Sequence, residues 1–357
     1  MPMRPSRRHF LKDVGLAGIG ISFAGALAGC ARKPAHPPLN LYTWDTYIGK
    51  HTLADFEKAS GSHVNISLFA NNDELFAKLR DGNPGYDVIV PSNDCLERLH
   101  QAGRLSELDH ARIPNLANID AKFINAPFDP GRTVSVPYTW IVTGIGYRKS
   151  KVDGVPDSWR WVLDSPRYSG RIGLLAEAAE LFQISAKYLG LPANTADAAT
   201  IARIQAMLIR QKPHVAVFHD DNGQDLLLAG DVDLVIEYNG DIAQVMREDK
   251  DLDFVVPREG GIIASDSLCI PKGAPNPDLA HAYINFVLDA HNGAHISETI
   301  RYPTPNLAAL ALMPDDYRHS PVIFPPAPVL ATCEYSHYQG QAVQSAYEQA
   351  MTRVRAG

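Results

Sequence analysis

Residues 39–92, LNLYTWDTYIGKHTLADFEKASGSHVNISLFANNDELFAKLRDGNPGYDVIVPS, decide the fold class. Three short runs rich in β-branched and aromatic residues, LNLYTW, HVNISLFA and YDVIVPS, are separated by two segments with apolar residues at helical spacing, TLADFEKASG and DELFAKLRDG. Short strands alternating with helices predict parallel βαβ units, because a parallel return needs a crossover long enough to hold a helix.

Further along, the same alternation starts again after about residue 146. GRIGLL, a helix over 180–189, another over 195–211, then VAVFH, DLLLAG and VDLVIEY predict a second α/β lobe. Between the two series lie SVPYTWIVTGIGYR (135–148) and GGIIASDSLCIP (260–271), extended apolar stretches bounded by Gly or Pro that read as strands crossing between lobes. The expected division is 39–141 with 267–310 as one lobe and 142–266 with 311–357 as the other. The final stretch, YQGQAVQSAYEQAMTRVRAG, reads as one closing helix whose basic end, Arg353 and Arg355, suits the negative pole of its dipole.

Upstream of Leu39 the chain reads as targeting sequence. Residues 6–12, SRRHFLK, look like a twin-arginine export signal, and the Gly-rich apolar run over 15–29 is too short for a stable membrane span. It ends in Leu27-Ala28-Gly29-Cys30, which looks like a lipoprotein box, so residues 1–29 are expected to be cleaved and Cys30 to carry the lipid. Residues 30–38, with their prolines, would be a tether.

Losing the first 29 residues removes four basic groups and one acidic group, taking the net charge from −7 to −10 over the remaining 328 residues. That balance argues against nucleic acid as a partner and suits a cationic ligand. Cys95, Cys269 and Cys333 are odd in number and imply no disulfide framework, and Cys269, within SLCIP, reads as a buried thiol.

Ligands of open α/β sheets bind beyond the carboxyl ends of the strands. The residues there are Trp44 and Asp45, Ser92 to Asp94, Glu177 and Glu180, Tyr238 to Asp241, and Asp266, with an acid at every strand end and an aromatic ring at two of them. A methylene chain ending in ammonium groups calls for such a set: carboxylates for its charges, flat rings for its length. Each acid taken alone reads as a helix N-cap or a solvated turn residue, and Trp44 and Tyr238 alone read as packing residues; it is their convergence on strand ends that points to a ligand. The chain has no HExxH, CxxC, GxSxG, SxxK or phosphate-loop motif, and the spaced pairs His291/His295 and His214/His219 lack further ligands and read as surface histidines. No metal and no cofactor is expected.

The stretches LYTWDTYIG, YDVIVPS, SVPYTWIVTGIGY, EAAELFQ, EYNGD, EGGIIASDSLCIP and ETIRYPTPNLAA resemble, in order and spacing, those of periplasmic polyamine (spermidine/putrescine) receptors, over about residues 39–357. The resemblance implies the two-lobed type II periplasmic binding protein fold, with hinge strands and a cleft that closes on its ligand. It implies a monomeric, non-enzymatic receptor that serves an ABC permease from the periplasm, here held to the membrane by its lipid. By position, Trp44 and Tyr47 match a first-lobe aromatic wall, Ser92 a polar contact, and Glu177 and Glu180 the second-lobe acids that grip an amine. Tyr238 stands for a stacking Trp, Asp241 matches an acid of the putrescine-type branch, Asp266 the acid for an inner or terminal amine, and Tyr302 a further wall.

Three positions depart from that pattern: Thr46 replaces an acid, leaving Asp45 one residue early, Asp94 replaces a Tyr, and Ala264 replaces a large aromatic platform. A late polar contact near Ser336 is left open. The departures permit another organic cation in the same fold, and a carboxylate-pair hydrolase (Glu177 with Asp266) and a sensory receptor are the readings from other classes.

Overall fold

One strand, β6, organises the molecule. The computed structural model describes residues 37–357, so the expected export signal and Cys30 lie outside the described residues. The strands are β1 (Leu39–Thr43), β2 (Val64–Leu68), β3 (Val88–Ile89), β4 (Asn125–Ala126), β5 (Asp129–Pro130), β6 (Ser135–Arg148), β7 (Ile172–Leu175), β8 (Val215–His219), β9 (Leu234–Tyr238), β10 (Leu252–Val255), β11 (Ile262–Cys269) and β12 (Glu334–Tyr335). The main path of strands runs β2-β1-β3-β11-β6-β9-β7-β8, with β10 beside β6 and β12 beside β11.

β1 pairs in parallel with β2 and β3, and β7 in parallel with β8 and β9, as the alternating pattern predicts. The helices that make these returns follow their sequence signals. Phe56 buries the apolar face of Thr52–Ser60, and Gly61, at φ 72°, ends that helix by giving its N–H to Glu57 O. Asn71 caps Asn72–Leu79 by accepting from Glu74 N at 2.9 Å.

The two expected crossing strands are β6 and β11, antiparallel to each other over residues 135–142 and 263–269. The first half of β6 places Val136, Trp140, Ile141 and Val142 in one hydrophobic core, drawn from residues 39–142 and 263–302. Its second half pairs with β9 and β10 and gives Ile145 and Tyr147 to another core that includes Leu174, Phe182 and, from the closing helix Gln341–Ala356, Tyr347, Met351 and Val354. Each core buries its own side chains, the physical requirement for two lobes. A third, smaller cluster around Phe254, Ile242 and Tyr317 packs beneath β10. Gly144 is needed where β6 meets that cluster, since a Cβ there would stand 2.4 Å from the Phe254 ring.

Candidate functional site

Three strand-to-helix junctions face the same space. Ser92 is the N-cap residue of Asn93–Gln101, Glu177 of Ala178–Tyr188 and Tyr238 of Asn239–Val245, and Asp94, Glu180 and Asp241 occupy the first turns that follow. A capping role requires a side-chain oxygen to accept from its own helix. None of the three does so. Ser92 Oγ instead donates to Asp266 Oδ1 at 2.7 Å, and Tyr238 OH to Glu180 Oε2 at 2.7 Å.

Asp266 reaches this space through a β-bulge. The pairing of β11 with β6 shifts between Asp266 and Ser267, so Asp266 faces Thr139 while Ser267 faces Pro137 and Tyr138 is skipped. Pro137 has no N–H to lose there, and the bulge aims the Asp266 carboxylate at Ser92 and at Tyr47, whose hydroxyl donates to Oδ2.

The rings form the walls. Trp44 is fixed by Nε1–H donating to Val90 O at 2.8 Å and by packing on Phe69. Tyr47 meets Tyr302 edge to face, with centroids 5.0 Å apart, and Tyr302 OH donates to Asp241 Oδ2 at 2.5 Å. Gly240 lies flat under Tyr302, where a Cβ would stand 2.3 Å from the ring.

All eleven residues singled out in the sequence line one cleft. Asp45 is the most peripheral: it is exposed, and its Oδ1 accepts from Thr46 N at 2.8 Å in a turn that holds Thr46 at φ 49°. Ala264 faces the cleft where the likeness called for an aromatic platform, and Ser336 also lines it. Sequence reasoning missed Asp221, Asn72 and Gln183. Asp221 was within reach, because it follows β8 as the chosen acids follow their strands; Asn72 and Gln183 arrive from helices and carried no signal.

Residues 51–325 match the bacterial extracellular solute-binding protein family. The chain belongs to that family. It is 34% identical over 324 residues to a putrescine/cadaverine-binding protein of Pseudomonas aeruginosa, covering 87% of this chain and 91% of the relative. It is 33% identical over 343 residues to a spermidine/putrescine-binding periplasmic protein of Escherichia coli, covering 94% and 97%. Among solved structures, a spermidine/putrescine ABC transporter substrate-binding protein of Streptococcus pneumoniae superposes with a TM-score of 0.76 at 26% identity, covering 90% of this chain and 99% of that one. Family membership makes the cleft of this solute-binding protein a binding site and not an active site, which removes the hydrolase reading.

Seven carboxylates line the cleft, and no Lys, Arg or His among the described residues does. Glu177 and Glu180 keep part of their surface open to the space, yet they stand deep enough to lose most of their hydration. Burial is the main cause that lifts every resolved acid: Asp94 and Asp266 to about 6, Asp241 to about 7 and Glu180 to about 8. Hydrogen bonds from Tyr47 and Ser92 to Asp266, from Tyr302 to Asp241 and from Tyr238 to Glu180 pull partly the other way. Burial also takes Glu177 and Asp221 well above the ordinary range, with Asp94 and Asp241 respectively as the next causes.

The mutual repulsions divide the acids. Asp94 raises both Glu177 and Glu180, Asp45 raises Asp221 and Asp241, and Asp266 raises Glu180, Asp221 and Asp241.

One histidine corrects the sequence reading. His219 is buried, with Nδ1 3.8 Å from Glu237 Oε2 and Nε2 at 3.1 Å from Ile236 O. Burial drives its pKa down to about 4 and that of Glu237 up. The sequence reads His219 as a surface histidine, but the helix Gly223–Ala229 starts against it, where a Cβ on Gly223 would stand 2.5 Å from the His219 ring.

Proposed function

We propose that this solute-binding protein is the periplasmic receptor of an ABC uptake system and that its cleft takes a linear polyamine of the spermidine/putrescine class. The observation that carries the reading is the lining itself, with seven carboxylates, four aromatic residues and no basic side chain among the described residues. The six of them that burial desolvates cannot all ionise without counter-charges, and a chain of spaced ammonium groups supplies them. The faces of Trp44, Tyr47, Tyr238 and Tyr302 suit the methylenes between them.

In this reading residues 39–141 with 267–310 form one lobe and 142–266 with 311–357 the other, and the ligand favours the closed arrangement that a permease recognises. Contacts across the proposed division support closure: Asn71 Nδ2 donates to Asp220 Oδ1 at 3.2 Å, Arg98 Nη2 to Gln341 Oε1 at 3.2 Å, and Gln344 Nε2 to Asp73 Oδ1 at 3.2 Å. Twin-arginine export, cleavage before Cys30, lipid attachment there and a monomeric state complete the proposal, supported by SRRHFLK and Leu27-Ala28-Gly29-Cys30.

The test is a thermal-shift and calorimetric screen of the protein without residues 1–30 against putrescine, cadaverine, spermidine, spermine, arginine, choline and neutral sugars. Stabilisation that grows with concentration for linear polyamines alone supports the class. A response to choline or arginine alone would instead assign the cleft to another organic cation, for which Ala264 leaves room.

A further inference from the structure

β11 and β12 carry side chains on two faces. Ala264 and Asp266 of β11, and Ser336 just past β12, line the cleft. Ser265, Tyr335 and His337, which alternate with them, line a separate cavity of about 200 Å³. Its other wall comes from the short helix Ala121–Phe123 and the β4–β5 hairpin, with Phe123, Pro127 and Phe128 as apolar surface. The lining reverses the chemistry of the cleft: among the described residues it holds Lys122, Arg132 and His337 and no carboxylate.

Two of these cations have anions of their own, Lys122 in Asp120 at 3.2 Å and His337 in Glu97 at 3.3 Å. Arg132 has no ion pair among the described residues, although it is fully buried. Its Nε donates to Phe123 O at 2.6 Å and its Nη1 to Ser135 Oγ at 3.1 Å, while Nη2 has no acceptor among the described residues. Asp129, the acid that acts on it most strongly, is already filled: its oxygens accept from Thr133 N and Oγ1, Val134 N and Ser135 Oγ at 2.7–3.1 Å. Arg132 holds φ 56°, a left-handed conformation uncommon outside glycine, and its guanidinium carbon lies 4.9 Å from the centre of the Phe128 ring, so the charge stands at an apolar wall of the cavity. A guanidinium taken out of water without its anion is costly, and burial pulls its pKa down to about 10.

We propose that this cavity is a second ligand site, separate from the cleft, for a small organic anion that brings a carboxylate to Arg132 on an apolar body about the size of one ring. An apolar cavity of about 150 Å³ holds a benzene ring, so about 200 Å³ leaves space for a ring and its carboxylate. Arg132 Nη2 is the donor left for the carboxylate, the rings of Phe123, Phe128 and Tyr335 take the body, and the exposed Lys122 and Tyr335 mark the mouth. The site does not depend on the polyamine reading of the cleft.

Isothermal titration with benzoate, benzamide and acetate tests it on the wild type, on Arg132→Gln, and on Ala126→Leu, which fills the cavity from its wall and leaves Arg132 intact. Benzoate should bind the wild type one to one with a Kd of about 1 mM or tighter, and benzamide and acetate at least about tenfold more weakly. Each variant should lose about tenfold or more in benzoate affinity. Benzamide or acetate binding as tightly as benzoate, or no benzoate binding at about 10 mM, would overturn the proposal, as would unchanged benzoate affinity in either variant. Should Arg132→Gln not fold, Ala126→Leu decides alone.

Discussion

Glu180→Gln gives the sharpest test of how the cleft works. Glu180 accepts one hydrogen bond, from Tyr238 OH at 2.7 Å, and has no cation on it among the described residues. Its other oxygen is therefore the acceptor available to a ligand ammonium. Glutamine keeps the shape and the bond to Tyr238 but removes the charge. A hydrogen bond to a charged group is worth roughly 1.5–3 kcal/mol, so affinity should fall between about 10-fold and 150-fold.

The pH dependence of the same pair of proteins separates lost charge from lost shape. Burial holds Glu180 at about 8 in the unliganded protein, so at pH 6 it is protonated and must release a proton before it can pair with an ammonium. Wild-type affinity should therefore rise with pH between 6 and 8, by up to about tenfold per unit from this group. The variant should lose that part of the slope. Isothermal titration of spermidine at pH 6, 7 and 8, in two buffers of different ionisation enthalpy, measures both affinity and protons released. Affinity of Glu180→Gln within about twofold of wild type at pH 8, or an unchanged slope, would refute the assignment of Glu180 as an ammonium partner.

Without ligand, the raised acids set the sign of stability against pH. Asp94, Asp266, Asp241 and Glu180 stand at about 6, 6, 7 and 8 in the folded chain, against about 4 for carboxyls in an unfolded one, so the folded state binds more protons between these values. Their stabilising contribution is complete below about pH 4 and is lost as pH rises through 6 to 8, so the unliganded protein should melt lower at pH 8 than at pH 5.5, with spermidine reducing the difference in thermal scans. Gly240→Ala puts a Cβ 2.3 Å from the Tyr302 ring; it should cost about 1–3 kcal/mol in denaturant titration and, by moving Tyr302 off Asp241, weaken polyamine binding as well. Asp45→Asn should change spermidine affinity by less than about threefold, because this acid is exposed at the rim and already occupied by Thr46 N–H; a loss as large as that of Glu180→Gln would move Asp45 into the ligand's direct grip.

The sequence by itself determined the βαβ alternation of residues 39–92, the two crossing strands at 135–148 and 260–271, and nine of the eleven residues that meet in the cleft, Tyr47 and Tyr302 having come only with the family likeness. It did so because strand period, helix period and the position just after a strand are local properties, and a doubly repeated α/β pattern leaves strand ends facing one crevice. Tertiary structure alone decided the rest. Asp266 is aimed by a bulge that skips Tyr138, and whether a strand carries a bulge depends on its partner's register. His219 is buried because the chain turns straight after its strand and starts the helix Gly223–Ala229 against the ring, a turn the strand pattern does not encode. Glu177 and Ser92 could have capped their helices, and only the contacts made across residues distant in the chain, Ser92 with Asp266 above all, turned them to the cleft.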